Sequence, residues 1–141
     1  MALSIDFRVR YAETDQMGVV HHSVYYVWFE QLRTEYFRNI GFPYGQLEDK
    51  GIFFPVVESH CEYKEGARYD GEVKVTGWFR EPEGIRVRID YLVEQEGRVL
   101  VEGYTLHART DASGKPRRIP PEILKKIREE AAPATEGPHL K

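Results

Sequence analysis

Fifteen consecutive positions, Tyr11 to Tyr25, carry two carboxylates, two histidines, two tyrosines and a glycine. The run reads Tyr-Ala-Glu-Thr-Asp-Gln-Met-Gly-Val-Val-His-His-Ser-Val-Tyr, with Asp15 seven residues before His22. Ser23 is an acceptable N-cap for the apolar stretch that follows, so the run ends where a helix begins. A helix start presents unpaired N–H groups and partial positive charge, which polarise a carbonyl or hold an oxyanion. The seven-residue spacing lets the loop fold back and bring the Asp15 carboxylate to the same point. A carboxylate facing a polarised carbonyl is the least apparatus that attacks an acyl group, either as nucleophile or as base for water.

The same residues have plainer readings. Asp15 also fits an Asx-turn or a cap. His21-His22 suggests a metal, but adjacent side chains diverge and no second cluster supplies further ligands, so no metal is expected. Arg109, Lys115, Arg117 and Arg118 cluster near the end of the last strand, as a solvated loop or an anion site. Cys61 is the single cysteine. It excludes an internal disulfide and reads as a small apolar residue buried in a strand; the expected compartment is reducing, hence the cytoplasm.

The elements that must position these groups follow from periodicity. Residues 5–11 alternate Ile5, Phe7, Val9 and Tyr11 against Asp6, Arg8 and Arg10, which predicts a half-buried strand ending at Tyr11. A turn-rich connection leads to a helix from about Ser23 to about Asn39. Its first two turns are apolar all round, which predicts burial on every side. Its second half sets Leu32, Tyr36 and Ile40 against Arg33, Glu35 and Arg38. Gly41 and Pro43 stop it. Residues 44–50 suit a short helical turn. Strand-like runs follow at 54–63, 71–79, 85–93 and 98–109, with short breaks that predict antiparallel neighbours. A helix over 122–131 closes the order, with Pro121 in its first turn. The fold class is α+β: a curved antiparallel sheet of about five strands wrapped around one long helix. Residues 1–132 read as one domain and 133–141 as a flexible tail.

Composition narrows the partners. Across 141 residues, 20 Lys+Arg oppose 23 Asp+Glu for a net charge of −3, which gives no field for nucleic acid. No apolar run approaches the roughly 20 residues that span a bilayer. The opening Met-Ala-Leu-Ser-Ile-Asp-Phe-Arg lacks the apolar core of a secretory signal.

The segment from Val9 to Tyr36 resembles the 4-hydroxybenzoyl-CoA thioesterase family of hotdog-fold enzymes, and within it the bacterial acyl-CoA thioesterase branch associated with the Tol-Pal system. The resemblance rests on Tyr11, Glu13, Thr14-Asp15, Gly18, Val19-Val20, His22 and Tyr25. It extends more weakly through Tyr63, the Ala67-Arg68-Tyr69-Asp70 turn, Val73 and Val75. Two positions depart from the pattern: Met17 stands where smaller residues are common, and His21 where an aromatic is. The resemblance implies hydrolysis of an acyl-CoA thioester, with Asp15 as the essential carboxylate. It implies that the His22 backbone N–H polarises the carbonyl, and that the His22 side chain and Tyr11 orient the reacting groups. Gly18, Tyr25 and Arg68 would meet the substrate, and Arg68, Arg109, Lys115, Arg117 and Arg118 are available to the CoA phosphates. No cofactor is implied, since CoA is part of the substrate. The resemblance further implies edge-to-edge dimers that commonly pair into tetramers. Delivery of the acyl group on an acyl carrier protein, and a non-catalytic binding module, stand as alternatives.

Overall fold

The computed structural model describes residues 2–138. The chain forms β1 (Leu3–Arg8), a 3-10 turn (Tyr11–Glu13), α1 (Val24–Asn39), α2 (Tyr44–Asp49), β2 (Val56–Tyr63), β3 (Glu72–Phe79), β4 (Arg86–Gln95), β5 (Arg98–Ala108) and α3 (Pro121–Glu130). The five strands make one antiparallel sheet in the order β1-β3-β4-β5-β2. The sheet covers α1, whose Trp28, Phe29, Leu32 and Tyr36 are fully buried. Phe29 stacks on Tyr91 of β4, with ring centroids 4.1 Å apart and planes within 5°. This is the sheet-wrapped helix that the alternating strands and the apolar helix predict.

Close approach between layers depends on Gly103 of β5. A Cβ there would lie 2.6 Å from the His60 carbonyl oxygen and 3.0 Å from Phe29 Cε2. Only glycine lets β2 and α1 both reach the sheet at this point.

Several expectations need correction. The first strand ends at Arg8, and Tyr11 lies in the 3-10 turn rather than on the strand. The turn forms because Glu13 accepts the Arg10 N–H at 2.7 Å, which reels the chain back. β2 and β3 are not neighbours, although they are consecutive. β2 lies at the far edge beside β5, and the connection after it, tied to the loop before α1 by Val20 N–H to Ala67 O at 2.8 Å, carries the chain back to β3 between β1 and β4.

α1 is not buried on every side either. Val27 is 49% exposed, and Val24 and Tyr26 are half-buried. One sheet covers one face of a helix, and the opposite stripe stays open. Arg33, expected on the polar face, is buried instead at 8% exposure. The expected tail makes contacts with the domain at Pro133 and Glu136. Arg80 Nη1 donates to Pro133 O at 2.8 Å and Nη2 to Glu136 O at 2.6 Å, while its Nε binds Asp90 Oδ2 at 2.7 Å. An arginine fixed by a buried aspartate holds this segment through backbone carbonyls, which composition does not reveal. Residues 139–141 of the expected tail lie outside the described residues.

Candidate functional site

The loop before α1 is built on Asp15. Its Oδ1 accepts the Met17 N–H at 2.8 Å and the Val19 N–H at 3.4 Å. Its backbone N–H donates to Val19 O at 2.8 Å, and its carbonyl accepts the Gly18 N–H at 3.0 Å. The Asx-turn reading is therefore realised by one carboxylate oxygen. The other oxygen makes no hydrogen bond to a described residue. Gly18 closes the turn at φ +78°, a conformation that L side chains rarely adopt.

Glu13 anchors the loop from below. Burial works against its charge, but the Arg10 amide and guanidinium and the Trp28 indole outweigh it and hold the carboxyl below its ordinary range. Glu13 Oε2 accepts the Trp28 Nε1–H at 3.1 Å, which ties the loop to α1. The His21 N–H donates to Glu13 O at 2.9 Å, so the chain enters the helix at a set angle.

Ser23 occupies the N-cap position, but its hydroxyl makes no capping bond. It sits 2.8 Å from His21 Nδ1 instead. The His22 N–H makes no hydrogen bond to a described residue. The Ser23 N–H is taken by His21 Nδ1 at 3.2 Å and the Val24 N–H by His21 O at 3.0 Å, so at this helix start it is the His22 N–H that is left open to a ligand.

Asp15, His22 and Tyr25 line one open pocket of 300 Å³ with Tyr63 and residues 64–66. Three of the residues singled out in the sequence meet here. Tyr11 is not brought to this pocket. Its ring is 78% exposed and meets Tyr69 edge-on at 5.6 Å. Gly18 and Arg68 lie beside each other, as a Cβ on Gly18 would be 3.6 Å from Arg68 Nη1. Neither lines the pocket. Arg117 is paired with Asp111 at 3.1 Å, and no contact links Arg68 to the cluster from Arg109 to Arg118 among the described residues.

Tyr63 enters the site without a role assigned from sequence. It stands at the end of β2, 41 positions from His22 along the chain, and its hydroxyl donates to His22 O at 2.9 Å. Burial, and next the neighbouring Cys61, push the Tyr63 phenol up, so it keeps its proton and stays a donor. Tyr25 is raised likewise by burial, offset in part by the Ala67 N–H. Cys61 is half-buried rather than fully buried. Burial pushes its thiol up, although the Tyr26 and Tyr63 hydroxyls oppose the shift. A protonated thiol is a poor nucleophile. Among the described residues, no group of three His, Cys, Asp or Glu is placed to hold a metal ion.

A five-stranded antiparallel sheet closed over one helix is the hotdog architecture. Residues 9–127 match the family model of the thioesterase-like superfamily, and the chain belongs to that superfamily of thioester hydrolases. It is 30% identical over 124 residues to the acyl-CoA thioester hydrolase YbgC of Escherichia coli, covering 86% of this chain and 92% of that one. A hypothetical protein from Thermus thermophilus is 38% identical, with a TM-score of 0.88 over 94% of this chain and 100% of its own. The DHNA-CoA thioesterase of Staphylococcus aureus is 31% identical, with a TM-score of 0.85 over 91% of this chain and 89% of its own.

Proposed function

We propose that this protein hydrolyses an acyl-CoA thioester to the free acid and CoA. One observation carries the reading: the Asp15 carboxylate and the open start of α1 face the same pocket. The thioester carbonyl oxygen would take the His22 N–H, and the α1 dipole would favour the charge that develops there. Asp15 would take the proton of an attacking water, or would attack the carbonyl carbon itself to give a mixed anhydride that water then hydrolyses; in either case the C–S bond breaks and the CoA thiolate leaves. Its Oδ1, held by two turn amides, fixes the carboxylate, while the second oxygen is left to the chemistry. The His22 imidazole would orient the acyl group, as would Tyr25. Tyr63 would hold the His22 peptide, and with it the N–H, in place. Tyr11, Gly18 and Arg68 would serve the rim, where the pantetheine arm and phosphates enter. The step asks for water and the chain's own groups, and CoA is part of the substrate.

The names of its relatives support the acyl-CoA class. Placement in the 4-hydroxybenzoyl-CoA family, and in its Tol-Pal-associated branch, rests on the motif from Tyr11 to Tyr25, as does a cytoplasmic location on the lone Cys61. Pairing of two chains is favoured by β2, an edge strand whose outer side has no strand partner among the described residues. Val56, Val57 and Tyr63 on that strand and Val27 on α1 are 45%, 53%, 48% and 49% exposed. An exposed edge with apolar side chains favours a second copy through strand pairing. Light scattering at micromolar concentration checks this, and a monomer would refute it.

Turnover of short-chain, long-chain and aromatic acyl-CoAs by wild type and Asp15→Asn tests the hydrolase reading. Equal rates for the two proteins across the panel would sink it. Preference for the same acyl groups on acyl carrier protein would select the carrier reading. Tight acyl-CoA binding without turnover would select a binding module.

A further inference from the structure

A second pocket, of 490 Å³, shares no lining residue with the Asp15 pocket. Ile52, Phe53 and Phe54 give it apolar walls. Set into it is Arg33, a buried cation at 8% exposure. Its Nη1 donates to Tyr91 Oη at 3.3 Å, its Nε–H is buried without an acceptor, and no described carboxylate lies within ion-pair distance of it. A charge taken out of water is ordinarily matched by an opposite charge.

No anion waits behind it. Tyr91, raised by burial, keeps its proton. Tyr44, beside Arg33, is raised by burial too, although the guanidinium opposes the shift. His107 is pushed down to about 4, first by burial and then by Arg33, so it is neutral. The pocket's three carboxylates do not fill the vacancy. Asp111 spends Oδ1 on the Ser113 and Lys115 N–H groups and Oδ2 on Arg117. Glu30 and Glu48 are exposed, where water screens them far more than it screens Arg33.

We propose that this pocket binds a carboxylate joined to a short apolar body, with Arg33 as its counter-ion. The aromatic and aliphatic walls take the body, and the planar guanidinium takes the two oxygens. The carboxylate has two sources. It is a free organic acid, or the far end of an acyl chain held as a CoA thioester of a dicarboxylic acid. The second source rests on the hydrolase reading above. Val56 lines this pocket, and Tyr63, at the other end of β2, lines the Asp15 pocket. Antiparallel pairing of two β2 edges about the strand's middle would bring one copy's Arg33 pocket toward the other's Asp15.

The test is binding of phenylacetate against phenylacetamide, equal in shape and different in charge, by calorimetry on the full chain. Phenylacetate should bind at least about tenfold more tightly, and Arg33→Met should erase the difference. Should Arg33→Met fail to fold, Ala112→Trp closes the mouth from an exposed loop and should abolish binding. Equal affinity for the two probes, or no binding of phenylacetate at millimolar concentration, overturns the proposal. Glutaryl-CoA hydrolysed about tenfold better than pentanoyl-CoA, with the preference lost in Ala112→Trp, assigns the acyl source. Phenylacetate binding without that preference assigns the free acid. Phenylacetate binding by a protein that turns over no thioester refutes the hydrolase reading and leaves this one standing.

Discussion

The loop before α1 and the middle of α1 handle charge in opposite ways. In the loop, Asp15 is half-buried, with one oxygen held by turn amides only two and four residues away. In the middle, Arg33 is buried and leans on residues from other strands. Arg33 donates to Tyr91, which can donate to Thr105 at 2.7 Å. Thr105 can donate to His107 Nε2 at 2.9 Å, and His107 Nδ1–H donates to Phe54 O at 2.9 Å. A carbonyl only accepts, so the proton of the neutral ring is on Nδ1, and the hydroxyls of Tyr91 and Thr105 and the ring N–H of His107 each then have an acceptor. The first arrangement is local and leaves one oxygen without a hydrogen bond to a described residue. The second is long-range and spends its groups on holding the core together. Activity and stability should therefore separate between the two regions.

The largest expected effect is at the first region. Asp15→Asn keeps a side-chain oxygen for the turn but loses the carboxylate. Steady-state kinetics should show kcat/KM for acyl-CoA falling about 10²- to 10⁴-fold. Denaturant midpoints should move by less than about 0.5 kcal/mol of stability. A variant that unfolded as fast as it lost activity would erase the distinction.

Thr105→Val cuts the second region at its middle link. The Tyr91 hydroxyl loses its acceptor and His107 Nε2 its donor, both buried. Urea titration should register a loss of about 1–3 kcal/mol, with turnover of a plain acyl-CoA unchanged.

His107 makes the same region sensitive to acid. Its folded value of about 4 lies below an ordinary 6.5. Between those values the unfolded chain binds a proton that the folded chain refuses. This contribution is whole above pH 6.5 and is lost as pH falls toward 4. His107→Gln should flatten that part of the stability profile, and a slope equal to wild type would refute the donor chain.

The smallest effect belongs to the residue that joins β2 to the first region. Tyr63→Phe removes one half-exposed hydrogen bond to His22 O. Stability should fall by about 0.5–1.5 kcal/mol and turnover by less than about tenfold. A loss as large as that of Asp15→Asn would make Tyr63 part of the chemistry rather than a support for the helix start.

Much of this was legible in residue order. The bounds of α1 follow from Ser23 before it and from Gly41 and Pro43 after it, and the chain forms the helix over Val24–Asn39. The alternation of Val87, Ile89 and Tyr91 marks the inner face of β4, and all three are buried. Asp15, His22 and Tyr25 were readable as one constellation because they lie within eleven positions of one another. Tyr63 was not, because only the return of β2 to the far edge brings it to His22. The alternation extends the strand to Tyr11, but a single carboxylate, Glu13, turns the chain before the alternation is complete.

Local order alone determined the helix, the strands and the loop that holds an acid before a helix start, since period, caps and turn residues act over a few positions. Tertiary structure alone decided that β2 lies at an edge of the sheet, that Arg80 meets the C-terminal segment, and that Arg33 is buried with no described carboxylate in ion-pair reach. Those outcomes depend on which distant surfaces exclude water together, and no short window of sequence contains both partners.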